Sequence, residues 1–275
     1  MNNFSPLSNT VFPPVVKNLL IINGIMFLAT YVFGNSLGIN LNQYLALYAF
    51  NSDSFRIWQL VTHLFMHGDM WHIFGNMLAL WMFGASLENL WGSKRFLNYY
   101  ILTGIGAAIF HLSIRTIELN KAADKLNTYT SAPSIQHFED YINQQVTAIY
   151  QPDFLKVLSI WEANPNNIEA KNNSIAIATE LYQTDLNSPT IGASGAVFGI
   201  LLAFGMLFPN VMIYVYFFLP IKAKYFVILY SAFELFNGFA NNPGDNVAHF
   251  AHLGGMIIGF LLIKIWKIKR PDNFF

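Results

Sequence analysis

Six apolar runs dominate the hydropathy pattern of the chain, at residues 16–33, 70–91, 96–114, 191–208, 223–239 and 247–266. Each is close to the ~20 mostly apolar residues a helix needs to cross a bilayer. The pattern therefore predicts an all-α membrane protein with six transmembrane helices. A seventh apolar stretch, 211–219, is too short to span and ends at Pro220. It reads as an interfacial connection into the fifth helix. The first run has only Lys17 ahead of it and no small-residue cleavage pattern behind it, so it reads as a retained helix rather than a removed leader.

Two polar intervals interrupt the apolar pattern. Residues 35–69 are half apolar and rich in aromatics (Tyr44, Tyr48, Phe50, Phe55, Trp58, Phe65), which suits a loop lying partly in the membrane interface. Residues 115–189 carry nine acids and five bases and are punctuated by Pro133, Pro152, Pro165 and Pro189. Between those prolines the apolar spacing is helical: Ile135, Phe138, Ile142, Val146, Ile149, then Phe154, Val157, Leu158, Trp161. This interval predicts short amphipathic helices on one membrane face, a cap or a variable insertion. The chain thus divides into 1–114, an extramembrane insertion at 115–189, and 190–275.

Composition and charge agree with a membrane class. Hydrophobic residues make up 54% and charged residues 11% of the 275 residues, where a soluble domain carries about 25% charged. Net charge is zero and there is no cysteine. Disulfides, thiol nucleophiles and nucleic-acid binding driven by bulk positive charge are excluded. Lys and Arg set the orientation: with both termini inside, short inner loops and tails hold nine and short outer loops hold one. The positive-inside rule then predicts N-in, C-in.

Polar residues inside apolar spans are costly and mark function. His72 and Asn76 in the second run share one helix face at i, i+4. They can donate toward a common point, or serve as polar glue between helices. The fourth run begins Gly192-Ala193-Ser194-Gly195-Ala196-Val197-Phe198-Gly199. Ser194 falls in the first turn, where free backbone N–H groups and the positive dipole end favour an oxyanion. Gly195 and Gly199 have small-xxx-small packing spacing. The sixth run reads Ala248-His249-Phe250-Ala251-His252-Leu253-Gly254-Gly255, with Gly259 beyond. Gly255 and Gly259 make a second close-packing face, and His252 points the same way. If the fourth and sixth helices pack there, His252 meets Ser194. A histidine beside a serine hydroxyl can take its proton and return it to a leaving amine. In the predicted topology all three clusters lie at one depth, toward the outer leaflet, and one nucleophile, one base and two spare donors at one depth make a hydrolase site.

With His72-x-x-x-Asn76, Gly192-x-Ser194-Gly195 and Ala251-His252-x-x-Gly255-x-x-x-Gly259 in this order, the chain resembles the rhomboid intramembrane serine proteases. The first loop, Trp58-Gln59-Leu60-Val61-Thr62-His63-Leu64-Phe65-Met66-His67-Gly68, matches as well. The resemblance covers the six-span core without 115–189. It implies a Ser–His dyad with no third acid, Ser194 as nucleophile and His252 as general base and acid. It also implies an oxyanion hole of His72, Asn76 and the Ser194 N–H. Gly192, Gly195, Phe198 and His249 would support the site, Phe198 standing where the family often stacks a tyrosine on the histidine. Gating by the fifth helix and its outer loop, 233–243 here, is a further implication. So are the absence of cofactor and metal, transmembrane protein substrates met within the lipid bilayer, no nucleic-acid partner, and a multi-pass location in a bacterial inner or plasma membrane. The family's usual Trp-Arg is Trp58-Gln59 here, with Arg56 as a candidate substitute.

Competing classes lack their marks. No histidine is followed by Glu, as a zinc intramembrane protease would need, and neither Tyr-Asp nor Gly-x-Gly-Asp occurs. A metal site at His63, His67 and His72 has only Asp69 nearby as a carboxylate. The alternatives are a rhomboid-like non-catalytic protein that binds membrane segments, and last a transporter, since Glu88 and Glu234 are the only acids within the spans. Substrate, regulation and oligomeric state are not readable.

Overall fold

A computed structural model describes residues 10–145, 151–215, 218–240 and 248–270. Helix α1 (Pro14–Leu37) opens with proline at its first position, where a missing N–H costs nothing. The first loop holds the short helices α2 (Asn42–Leu45) and α3 (Gln59–Thr62) and a 3₁₀ turn, His63–Phe65. Helix α4 (Met70–Ala79), a π turn (Leu80–Gly84) and α5 (Ala85–Trp91) run on as one 22-residue rod. Helix α6 (Ser93–Ser131) has 39 residues, about 58 Å at 1.5 Å per residue. The insertion folds as α7 (Ile135–Gln145), α8 (Gln151–Ala163) and α9 (Ile168–Leu186). Then come α10 (Ser194–Leu207), a hairpin of β1 (Met212–Val215) and β2 (Leu219–Lys222), α11 (Ala223–Ala240) and α12 (His249–Ile265).

Two sequence expectations change. The third helix does not stop at Ile114: no proline interrupts it before Pro133, and Leu119, Leu126 and Tyr129 keep an apolar face buried beyond it. The segment after α10 is not a plain interfacial connection in an all-α chain. It forms an antiparallel ribbon with Ile213 opposite Ile221 and Tyr214 opposite Pro220. Pro220 is tolerated because a two-stranded ribbon consists only of edges. By length and composition, only α1 and α6 among the described helices are apolar enough to cross a bilayer alone, with α10 and α12 apolar but shorter. Of the helical spacing expected in the insertion, Val146 and Ile149 lie outside the described residues.

Helix α10 is the centre of the main core, with eleven of its 14 residues buried between α6, α11 and α12. A second core lies wholly in the insertion and the end of α6: Leu126, Tyr129, Phe138, Ile142, Phe154 and Trp161 are among its members. Helices α1 and α11 expose large apolar side chains instead, Leu28, Tyr31, Phe236 and Phe239 among them, the pattern of surfaces that meet lipid.

Candidate active site

Glycines bring α10 and α12 to backbone contact. A Cβ at Gly255 would overlap the Gly195 carbonyl oxygen, and one at Gly259 would meet Tyr99 and the Gly199 backbone. This approach sets His252 against the first turn of α10. His252 Nε2 lies 2.8 Å from Ser194 Oγ. The Phe198 ring lies over the imidazole at 4.0 Å between centroids and 8° between planes, so the stacking expected there is made without a hydroxyl.

The residues before Ser194 are pinned by the first loop. Gly192 has φ +124°, a conformation that a side chain rarely adopts, and its N–H donates to the His63 carbonyl at 2.9 Å. Leu47 and Thr190 exchange backbone hydrogen bonds of 2.9 and 2.8 Å. The loop itself turns on Gln59, which is fully buried. Its Oε1 accepts from the Arg56 N–H at 3.0 Å and its Nε2 donates to the Ser54 carbonyl at 3.0 Å. Gln59 therefore does the anchoring. The Arg56 guanidinium is exposed and bonds only local carbonyls.

Asp69 starts α4 by accepting from the Trp71 and His72 N–H groups at 2.8 and 2.9 Å. That cap holds His72 in the first turn. A Cβ on Gly192 would stand 2.7 Å from His72 Nε2 and 3.7 Å from Ser194 Oγ, so the His72 ring borders the serine. Asn76 is buried, but its amide donates to the His72 carbonyl at 3.1 Å, within its own helix. Of the expected oxyanion donors, the structure brings His72 and the start of α10 together, and Asn76 uses one of its two amide N–H groups within its own helix. Residues 241–243 of the expected gate lie outside the described residues.

Sequence reasoning passed over Glu234. Its side chain, 2% exposed, projects from α11 between the two histidines of α12. Oε2 accepts from His252 Nδ1 at 2.8 Å and from His249 Nδ1 at 2.7 Å. The signal was present as an acid inside an apolar run, but no spacing within one helix links it to His252. His249 is thus directed to the carboxylate, while His252 spans carboxylate and serine. Glu234, His249 and His252 are also a donor set of the kind that binds a cation. However, their 2.7 and 2.8 Å separations are shorter than the ~3.3 Å between two donors on a tetrahedral zinc ion with bonds near 2.0 Å. They are hydrogen-bond distances.

The Rhomboid domain family model matches residues 54–118 and 172–268, more than half the chain, and skips most of the insertion. The RHOMBOID-like protein 12, mitochondrial, of Arabidopsis thaliana is 25% identical over 260 residues, 94% of this chain and 60% of its own length. The Rhomboid protein 1, mitochondrial, of Saccharomyces cerevisiae is 24% identical over 202 residues, 74% of this chain and 40% of its own. The Rhomboid protease GluP of Bacillus subtilis is 40% identical over 52 residues, 19% of this chain and 10% of its own. The chain thus spans about 60% and 40% of the length of the two relatives that cover most of it. Both are named mitochondrial, so they do not carry the bacterial membrane expected from the sequence. On these matches, the chain belongs to the rhomboid family of membrane-embedded proteins.

Proposed function

We propose that this chain is an intramembrane serine endopeptidase that hydrolyses peptide bonds in or near transmembrane segments of other proteins. The observation that carries the reading is the 2.8 Å contact between Ser194 Oγ and His252 Nε2 at the N-terminus of a buried helix. In the first step His252 Nε2 takes the Ser194 proton as Oγ attacks the scissile carbonyl. The oxyanion that forms faces the N–H groups of the first turn of α10, which have no partner within the helix, and the His72 ring beside them. His252 then gives the proton to the leaving amine. Water enters by the same route reversed and releases the acyl group from Ser194. Gly192 keeps the approach to Ser194 open, because any side chain there would fill the space before His72.

Six crossings with both termini inside remain the topology we infer, with the α4–α5 rod as the second. The exposed aromatic face of α11 (Phe233, Phe236, Phe239) is where a substrate helix would arrive from lipid.

The test is cleavage of a single-span substrate by purified protein in liposomes, with labelling by a fluorophosphonate run beside it. Wild type should cleave and label. Ser194→Ala and His252→Ala should each lose at least about 10³-fold, and His72→Ala about 10²–10³-fold. Equal labelling of wild type and Ser194→Ala would refute the reading.

A further inference from the structure

We propose that Glu234 is a positioning residue for His252, so that the site operates as Ser194–His252–Glu234 rather than as a serine–histidine pair. This rests on the protease reading above and adds to it a residue from a third helix. A carboxylate oxygen has no proton to give, so the Nδ1 atoms that face Glu234 Oε2 at 2.7 and 2.8 Å carry their own. That assignment fixes the tautomer of His252 with its proton on Nδ1. Nε2 is left with a lone pair, directed at Ser194 Oγ. In the other tautomer Nε2 would already hold a proton and could take none from serine. Phe198 fixes the plane of the ring and Glu234 its rotation within that plane.

The arrangement also bears on the charge that forms. When the serine proton reaches Nε2, the imidazolium sits 2.8 Å from a carboxylate oxygen, in a site where His252 is 7% and Glu234 2% exposed. Coulomb attraction there is poorly screened. The proton passes from Ser194 to His252 and on to the leaving nitrogen, and Glu234 neither gains nor loses one. His249 contributes by bonding the same oxygen from one turn away, which helps hold the carboxylate in place.

The experiment measures the rate of fluorophosphonate labelling at Ser194 in the full chain, beside thermal stability, so no substrate need be known. Glu234→Leu removes both acceptors and should slow labelling by about 10²-fold or more. Glu234→Gln keeps the shape but can turn an amide N–H toward Nδ1 and select the wrong tautomer, so it should also slow labelling by about 10²-fold or more. The losses should persist when rates are expressed per folded molecule, and chelation with EDTA should change none of them. If Glu234→Leu fails to fold, the Gln variant decides alone. Labelling of the folded variants within threefold of wild type would overturn the proposal and leave a helix-to-helix tie. A wild-type rate lost with EDTA and restored by zinc would overturn it in favour of a metal site. Failure of wild type to label above Ser194→Ala would instead defeat the protease reading, and this one with it.

Discussion

Glu88 and Glu234 are the two acids buried among the described residues, each 2% exposed, and their surroundings differ in kind. Glu88, in the middle of α5, takes the Val15 N–H at 2.9 Å and the Ser93 hydroxyl at 2.6 Å on one oxygen, and the Val16 N–H at 2.8 Å on the other. It fills the open N–H groups at the start of α1, where a carboxylate also complements the helix dipole. Those donors stay the same whatever the protein does. Glu234 takes two imidazole N–H groups, and imidazoles change charge during proton transfer. One buried acid therefore closes a helix end, while the other faces groups that can react. Burial alone does not separate the two. The chemistry of their donors does.

The comparison breaks most severely if the reactive half is pulled apart without touching its polar groups. Gly255→Ala places a methyl on the Gly195 carbonyl, so α10 and α12 must separate. Overpacking of this kind costs about 1–3 kcal/mol, and a shift of about 1 Å between reacting groups costs about 10²-fold in rate. Labelling at Ser194 should fall by that order while the α1–Glu88 junction stays intact. Labelling at the wild-type rate would show that the glycine contact does not set the Ser194–His252 distance.

Glu88→Ala tests the other half. It leaves the Val15 and Val16 N–H groups without their acceptors, and a buried unmet donor costs about 1–3 kcal/mol. Melting temperature should drop by the equivalent of about 2 kcal/mol, with labelling per folded molecule unchanged. A fall in labelling greater than the fall in folded protein would erase the distinction between the two acids.

The buried histidines of the first loop sharpen the comparison from the opposite direction, because neither bonds a carboxylate. His63 Nδ1 donates to the Gln59 carbonyl at 2.7 Å. His67 is 2% exposed, and neither of its ring nitrogens makes a well-formed hydrogen bond. Burial pushes both down from 6.5 to about 4. A folded pKa below the unfolded one means that the unfolded chain binds more protons in this window. Stability is therefore full above 6.5 and falls as pH drops toward 4. At a pH one unit below the unfolded value the loss is about 1.4 kcal/mol for each. His67→Phe should flatten that decline in melting temperature, and an unchanged slope would place the titration elsewhere.

How far the sequence led can be judged from the same residues. The glycine spacing on the fourth and sixth apolar runs put His252 against Ser194 on the condition that these two helices pack together, a pairing that the sequence left open and the glycine contact now makes. His72 was singled out by its i, i+4 spacing with Asn76 and by the family resemblance. Glu234 was visible as an acid in an apolar run but not as a partner of His252, since the crossing of α11 over α12 is a tertiary fact with no local signature. Gln59 was read as a departure from a family pattern, and its hydrogen bonds show it replacing the expected anchor. The hairpin was missed because 211–219 was weighed only for its length against a bilayer. The length of α6 was missed because the end of an apolar run was taken for the end of a helix, and helices end for other reasons.

The smallest effect expected is at the insertion. Arg115 bonds Asp185, and the Ser52 hydroxyl bonds Asn187 at 2.7 Å, so the turns of α6 and α9 around these residues belong to the support of the first loop. Farther out, Tyr129 meets Ser174. The two helices therefore run antiparallel with residues near 121 and 181 side by side, about 8–10 Å apart as packed helices are. A link of about four residues spans that gap. The buried members of the second core all lie between Leu126 and Ala178. Removing 122–180 takes them out together and leaves no half of that core exposed. Such a protein should label at Ser194 within about threefold of wild type, because both acids and the glycine contact are outside the excised stretch. A loss of about 10-fold or more in folded protein would mean that the insertion reaches the reactive half through the first loop. It would then have to act along the path from Asn187 to Ser52 and from Thr190 to Leu47, the ties that lead toward Gly192.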